Sequence, residues 1–158
     1  MGSDSDFPVM KKAIAIFKEF GVEYEVLLAS AHRTPAAVRE FVSTAEERGI
    51  SAFVVGAGMA AHLPGVVASY TTLPVIGVPL ESGSLQGMDA LLAIVQMPSG
   101  IPVATVAING AKNGALLAVQ IGAASDAELA KKYKAYRENM AKEVMEKNQK
   151  LQETVKSL

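Results

Sequence analysis

Short apolar runs, rich in β-branched residues, alternate along this chain with segments of helical periodicity. Four of these runs predict strands, at residues 24–28, 52–57, 75–78 and 103–108. The last three are nearly continuous in apolar residues, which is typical of parallel strands that helices cover on both faces. The pattern therefore predicts βαβ units and a mainly parallel sheet, the features of an α/β protein.

The segments between these runs carry helical signals. The first predicted helix has an apolar stripe and a C-cap at Gly21; the stripe consists of Val9, Ala13, Ile16, Phe17 and Phe20. A second helix begins at Thr34 and Pro35, a capping residue followed by proline, and continues to Arg48 and Gly49. Further helices are predicted after His62, at 88–96 and at 112–121.

The C-terminal segment predicts one long amphipathic helix over about residues 125–150. It opens with the capping-box pattern of Ser125 and Glu128, and its apolar stripe consists of Leu129, Tyr133, Tyr136, Met140 and Val144. A helix of about 30 residues spans roughly 45 Å, more than one small domain covers. We therefore expect part of this helix to pack on another subunit; the alternative for its last turns is a frayed, solvated tail beyond about Lys147.

The N-terminal residues 1–3 predict a strand-to-helix loop, and such a loop should follow an apolar strand. In a flavodoxin-like sheet of order 2-1-3-4-5 the first strand is internal. Its loss would leave unpaired backbone on two neighbours. We therefore expect a further strand to precede Met1.

Composition narrows the class of protein. A chain of 158 residues, 50% of them hydrophobic, suffices for a single α/β domain, with its core in residues 1–122 and the C-terminal helix beyond. The 15 lysines and arginines nearly balance 16 aspartates and glutamates, so no basic surface for nucleic acid or anionic lipid is predicted. Without cysteine or a transmembrane segment, we expect a cytoplasmic protein that binds a small molecule.

Four polar or glycine-rich segments each follow a strand or an expected strand, at residues 2–6, 30–35, 56–65 and 79–84. Loops at the carboxyl edge of a parallel sheet converge where ligands bind. Ser3, Ser5, Ser30 and Arg33 together suit a phosphate group, and Asp6, which only accepts hydrogen bonds when ionised, suits sugar hydroxyls. The alternative is that the serines and aspartates only cap a helix while Arg33 pairs with a surface carboxylate.

His32 and His62 are the only histidines, and both lie in these loops. Imidazole exchanges protons near neutral pH, which makes both residues candidates for general acid/base catalysis, although loop histidines are often merely structural or solvated. The segment GAGMAAHLPG lacks the spacing of a dinucleotide-binding loop, and two histidines alone make a poor metal site. We therefore expect neither a metal nor a cofactor.

The ordered segments MGSDSD, SAHRTP, GAGMAAHLPG, GVP and SLQGMDALLAIVQMPSGIPVATVAINGAKNGALLA resemble those of the class I N5-carboxyaminoimidazole ribonucleotide mutases. The resemblance covers about residues 1–122. It implies a three-layer α/β/α subunit with a flavodoxin-like parallel sheet, assembled as a homo-octamer. It also implies a cofactor-free reaction of purine biosynthesis that moves a carboxylate from N5 to C4 of aminoimidazole ribonucleotide.

The resemblance also implies a role for individual residues. Ser3, Ser5, Ser30 and Arg33 would hold the 5'-phosphate, and Asp6 the ribose hydroxyls. His32 would be the general acid/base. His62 would shape a carboxylate pocket together with the adjoining loop, whose substrate-binding residues would be Gly56, Ala57, Gly58, Ala60, Ala61 and Leu63.

Two departures and two alternatives accompany this resemblance. Ala90 and Ala93 replace serines that are usual in the family, but neither is a predicted ligand of the substrate. The related class II enzymes carboxylate aminoimidazole ribonucleotide directly with CO2. A non-catalytic nucleotide-binding module would use the same phosphate loops without needing either histidine.

Overall fold

The computed structural model describes all of residues 1–158 and contains a parallel sheet at its centre. Its strands are β1 (Phe53–Gly58), β2 (Val75–Leu80) and β3 (Ala104–Thr105), in the order β1-β2-β3. β1 and β2 pair over six residues, from Phe53 opposite Val75 to Gly58 opposite Leu80. All of β2 is buried, as its continuous apolar sequence predicts.

Six α-helices surround the sheet: α1 (Phe7–Phe20), α2 (Pro35–Ser43), α3 (Leu63–Ala68), α4 (Met88–Val95), α5 (Ala111–Ala123) and α6 (Ala127–Lys156). Helices α1 and α5 pack together on one face, with the start of α6 against them, while α2, α3 and α4 cover the other face. The three-layer α/β/α arrangement predicted from the sequence is therefore confirmed. No helix combines the length and apolar character that crossing a bilayer requires.

A separate apolar core fills the space on each side of the sheet. On one side, Val38 of α2 and Ile94 of α4 pack with Val55 of β1, and all three are buried. On the other side, Ile16 of α1 and Val119 of α5 pack with strand residues that point the opposite way. Side chains alternate between the faces of a strand, so the sheet supplies both cores.

The predicted second helix is shorter than the sequence pattern suggested. Helix α2 ends at Ser43, and a separate 3-10 turn, Glu46–Arg48, replaces the predicted continuation. The hydroxyls of Ser43 and Thr44 donate to the Glu40 carbonyl, with Oγ–O distances of 3.4 and 2.9 Å. Such side-chain bonds compete with the helical backbone, and Gly49, at a φ of 78°, then ends the turn.

The strand predicted at 24–28 is absent. Residues 24–29 form only two backbone hydrogen bonds, both with Met1: Met1 N donates to Leu27 O at 3.1 Å, and Ala29 N donates to Met1 O at 3.0 Å. A largely apolar cleft of about 470 Å³ is lined on one side by residues 22–27 and on another by β1, the edge strand of the sheet. Without a paired neighbour along its length the segment cannot form a ladder.

The strand predicted at 103–108 is also shorter than expected. Only Ala104–Thr105 pairs regularly, opposite Ile76 and Gly77 of β2. The chain nevertheless stays beside β2, because Val106 N donates to Gly77 O at 3.1 Å and Asn109 N donates to Pro79 O at 2.8 Å. The predicted position is therefore correct, although the regular ladder is limited to two residues.

Helix α6 is the long C-terminal helix that the sequence predicts. It is capped by Asp126, whose carboxylate accepts from Leu129 N at 3.0 Å, and it docks through two tyrosines of the predicted stripe. The rings of Tyr133 and Tyr136 lie 6.0 and 5.3 Å from the ring of Phe20 on α1. A hydrogen bond with Tyr136 raises the pKa of Lys112, the cation beside this cluster. The later stripe residues, Met140 and Val144, are exposed.

Replacing Phe20 by alanine tests this docking. Phe20 is buried beneath both tyrosines, so Phe20→Ala should lower the free energy of unfolding by about 3–5 kcal/mol through the cavity that it leaves. Lys12→Ala, on the exposed face of the same helix, should change it by no more than about 0.5 kcal/mol. Denaturant unfolding at matched protein concentration measures both values, and equal stability of the two variants would contradict this account.

Candidate active site

The first polar loop is organised by its own side chains. One carboxylate oxygen of Asp6, Oδ2, accepts from the backbone N–H of Gly2 and Ser3, at 3.1 and 3.0 Å. Ser3 Oγ in turn accepts from the N–H of Ser5 at 3.3 Å, which completes a capping box. The two hydroxyls, Ser3 Oγ and Ser5 Oγ, lie 2.8 Å apart. The loop therefore holds its hydroxyl groups together directly before α1.

The second loop forms a tight turn before α2. Ser30 Oγ accepts from the N–H of His32 at 3.3 Å and from that of Arg33 at 3.2 Å. Thr34 Oγ1 accepts from Ser30 N at 2.9 Å and donates back to Ser30 O at 3.2 Å. Arg33 Nη2 reaches the carbonyl of Gly2 at 3.5 Å, which places the guanidinium beside the first loop. The serines and the arginine predicted to bind phosphate therefore lie in adjacent loops.

The third loop reverses direction after β1 and delivers His62 to the start of α3. Met59 and Ala61 have φ values of 54° and 45°, in the left-handed region. For residues with a side chain this conformation costs roughly 1–2 kcal/mol. The turn is closed by a 3.0 Å hydrogen bond from Ala61 N to Gly58 O. Leu63, the next residue, is buried and fixes the position of His62.

The two histidines meet at this point. His32 Nε2 and His62 Nδ1 lie 2.7 Å apart, a hydrogen-bonding distance, and the ring centroids are 4.9 Å apart with the planes at 81°. Residues 30 positions apart in sequence are thus brought into direct contact by two different loops. Both side chains are exposed in this structure and open to a ligand.

The fourth loop packs against the third. A side-chain carbon at Gly58 would lie only 3.1 Å from Cβ of Ser82, so glycine lets the two loops approach without either having to shift. Glu81, beside Ser82, makes a reciprocal pair with Asn109: Glu81 N donates to Asn109 Oδ1, and Asn109 Nδ2 donates to Glu81 Oε2, both at 3.0 Å. Through these contacts all four predicted segments lie next to one another at the carboxyl edge of the sheet.

Sequence reasoning did not predict the pair of Glu81 and Asn109. The available signal was the Asn-Gly step at Asn109 and Gly110, which follows a predicted strand directly. Asn109 has a φ of 58°, a conformation that asparagine tolerates better than most residues. Its amide joins the end of the β3 region to the fourth loop.

Several predicted ligand-binding residues have buried side chains. Ala57, Ala61 and Leu63 belong to the core on the α2, α3 and α4 side. Contact between these residues and a ligand would therefore involve backbone atoms. Ala60, by contrast, lies exposed at the tip of the turn.

The charges of the four loops are unevenly distributed. Arg33 is their only cationic side chain, while Asp4, Asp6 and Glu81 are acidic. The Met1 ammonium lies near Asp6, but burial dominates and lowers its pKa. An anionic group at this edge would therefore be bound by Arg33, hydroxyls and backbone N–H groups. No group of three or more histidine, cysteine, aspartate or glutamate side chains is placed to hold a metal ion.

Comparisons with known proteins give one consistent family. The family model described as AIR carboxylase matches residues 1–143. A Thermotoga maritima protein named N5-carboxyaminoimidazole ribonucleotide mutase is 57% identical over 153 residues, which cover 97% of this chain and 90% of that protein. A protein of the same name from Pyrococcus horikoshii is 58% identical, covering 97% of this chain and 86% of its own length.

A solved structure gives the same result for the fold. The crystal structure of Treponema denticola PurE superimposes with a TM-score of 0.85 at 34% sequence identity. The superposition covers 96% of this chain and 94% of that one. The flavodoxin-like α/β fold expected from the sequence is therefore confirmed.

Proposed function

The chain belongs to the AIR carboxylase family, and on this premise we propose that it is an N5-carboxyaminoimidazole ribonucleotide mutase. It converts N5-carboxyaminoimidazole ribonucleotide into the 4-carboxy isomer, a step of purine biosynthesis in the cytoplasm. The observation that carries the proposal is the 2.7 Å contact between His32 and His62, in which His32 belongs to the same loop as Arg33. It places groups able to exchange protons beside groups able to bind a phosphate.

The phosphate of the substrate binds between the first two loops. Ser3, Ser5 and Ser30 donate hydroxyl hydrogen bonds, and Arg33 supplies the charge. The loops also precede the N-termini of α1 and α2, whose free N–H groups and positive dipole ends favour an anion. Displacement of the weak 3.5 Å contact between Arg33 and Gly2 O frees the guanidinium for the phosphate.

Asp6 binds the ribose. Its Oδ2 already accepts two backbone N–H groups, whereas Oδ1 makes no hydrogen bond within the protein. An ionised carboxylate accepts from hydroxyl donors, so Oδ1 is available to the ribose hydroxyls. The loop geometry fixes this oxygen in place before the substrate arrives.

The carboxylate group lies in the third loop, against His62 and the backbone of Gly56, Gly58 and Ala60. Breaking the bond between N5 and the carboxylate carbon releases CO2 and leaves the electron pair on nitrogen, which takes a proton from His32. The electron-rich C4 then attacks the same CO2, and His32 removes the C4 proton to restore the aromatic ring. A pocket that retains CO2 makes the second step effectively intramolecular.

The direct test is to mix purified protein with N5-carboxyaminoimidazole ribonucleotide in the absence of ATP, metal and added bicarbonate. Formation of the 4-carboxy product above the uncatalysed rate is expected. The class II alternative predicts instead that bicarbonate and aminoimidazole ribonucleotide sustain turnover. A non-catalytic nucleotide-binding module predicts no product from either substrate, so each of these outcomes would contradict the proposal.

Replacing His32 by asparagine should remove most of the catalysis. His32→Asn keeps the residue small and polar but cannot exchange a proton, so kcat should fall by about 10²–10⁴-fold. Substrate affinity, measured by isothermal titration, should change little. Full activity of the folded variant would exclude the assigned role.

Arg33→Met should weaken substrate binding more than it slows the chemistry. Loss of a charge-assisted contact costs about 1.5–3 kcal/mol, which corresponds to a rise of roughly 10–150-fold in KM. Arg39→Met removes a second exposed arginine, on α2, and serves as the matched control. Steady-state kinetics measure KM for both variants. An equal rise of KM in the two would contradict binding of the phosphate by Arg33.

The protein forms a homo-oligomer, an octamer as in the family that it resembles. Helix α4 and the turn before it support this assembly. They expose four apolar side chains at heptad spacing, each at least half exposed: Leu85, Met88, Leu92 and Val95. The exposed apolar residues of the distal part of α6 are a second surface of this kind.

Leu92→Asp should disrupt that assembly, because a charge would be buried in an apolar interface. Light scattering coupled to size exclusion should show a smaller species than for the unmodified protein. Leu92→Met, which conserves the apolar volume, should leave the mass unchanged. An unaltered mass for Leu92→Asp would show that α4 is not part of the interface.

A further inference from the structure

The contact between the two histidines restricts how many protons they can carry. Since His32 Nε2 and His62 Nδ1 are 2.7 Å apart, one of these inner nitrogens must donate and the other must accept. Both cannot carry a proton at this distance, because two N–H groups would then point at each other. The pair is therefore either neutral, with two protons, or singly charged, with three.

The neutral pair has two arrangements that differ in the direction of the inner hydrogen bond. If the inner proton is on His32 Nε2, then His32 Nδ1 has a free electron pair and His62 Nε2 carries the second proton. If the inner proton is on His62 Nδ1, then His32 Nδ1 carries a proton and His62 Nε2 is the free base. Going from one arrangement to the other thus moves the inner proton across the 2.7 Å contact. It also requires one outer nitrogen to lose a proton and the other outer nitrogen to gain one.

The surrounding charged side chains take no part in this proton exchange between the two rings. The only salt bridge in the structure joins Arg48 to Glu25, so no carboxylate pairs with either imidazole. The nearest charged neighbour in sequence is Arg33, whose guanidinium is directed toward Gly2 O. The backbone positions are fixed: His32 N donates to Ser30 Oγ at 3.3 Å, and His62 lies between the left-handed Ala61 and the buried Leu63.

We propose that His32 and His62 act as one proton relay, so that His62 is a second catalytic residue as well as part of the carboxylate pocket. This inference rests on the proposed function. The mutase reaction needs a proton at N5 when the C–N bond breaks and must lose one from C4 after the C–C bond forms. In the singly charged pair, His32 Nδ1 gives its proton to N5 while the inner proton crosses from His62 Nδ1 to His32 Nε2. This leaves the neutral pair with a free electron pair on His32 Nδ1, which takes the C4 proton as the inner proton returns to His62 Nδ1. No proton is gained or lost overall.

His62→Asn tests the relay, because asparagine offers a hydrogen-bonding group near the position of Nδ1 but cannot pass a proton on. With N5-carboxyaminoimidazole ribonucleotide as substrate, kcat should fall at least about tenfold while KM stays within about threefold. His62→Gln should lose kcat in the same way, which guards against one poorly folded variant. Ser69→Ala, at the other end of α3, is the control and should retain activity.

A second readout needs no substrate. In protein labelled with 15N in histidine, the unmodified pair should show scalar coupling between the two inner nitrogens across the hydrogen bond, and His62→Asn should lose it and shift the ring nitrogens of His32. Normal kcat in both His62 variants, or a raised KM with unchanged kcat, would overturn the relay. So would His32 nitrogens that do not respond to the substitution. Absence of turnover by the unmodified protein would instead refute the proposed function.

Discussion

The parallel pairing of β1 with β2 is the interaction on which the rest of the structure depends. Six consecutive residue pairs, from Phe53 and Val75 to Gly58 and Leu80, align the ends of the two strands. Because helices bury the sheet on both faces, the strands cannot shift register without moving apolar side chains out of both cores. The loops after the strands are therefore held side by side, and Gly58 allows the third loop to touch the fourth at Ser82.

The sequence predicted most of this fold because its strongest signals are local. The apolar stripe of α1, the cap at Gly21 and the continuous apolar run of β2 each specify an element without reference to distant residues. The errors lie where a distant partner decides the outcome. Residues 24–28 have the composition of a strand, but only Met1 pairs with them. The shortening of α2 depends on hydroxyls that donate hydrogen bonds to their own helix, and apolar periodicity does not predict these bonds.

For the site, the sequence indicated which loops carry the chemistry but not how their side chains meet. Ser30 and Arg33 were expected at a phosphate group, and the structure brings their loop against Gly2 through Arg33. The pair of His32 and His62, by contrast, depends on the left-handed turn at Met59 and Ala61, and the residue types in that turn do not predict its conformation. The pair of Glu81 and Asn109 likewise joins segments that only the sheet brings together. The residues that supply the chemistry can therefore be predicted from local sequence, whereas the contacts between their side chains follow from the topology of the sheet.

The central claim is that the carboxylate of the substrate itself becomes the carboxylate of the product. It is tested most directly with N5-carboxyaminoimidazole ribonucleotide that carries 13C in its carboxylate, incubated with the protein in excess unlabelled bicarbonate. If CO2 stays in the pocket formed by the third loop, the 4-carboxy product should retain the 13C label in most turnovers early in the reaction. A product that carries unlabelled carbon from the first turnovers would show that the carboxylate comes from solution, and would contradict the mutase mechanism.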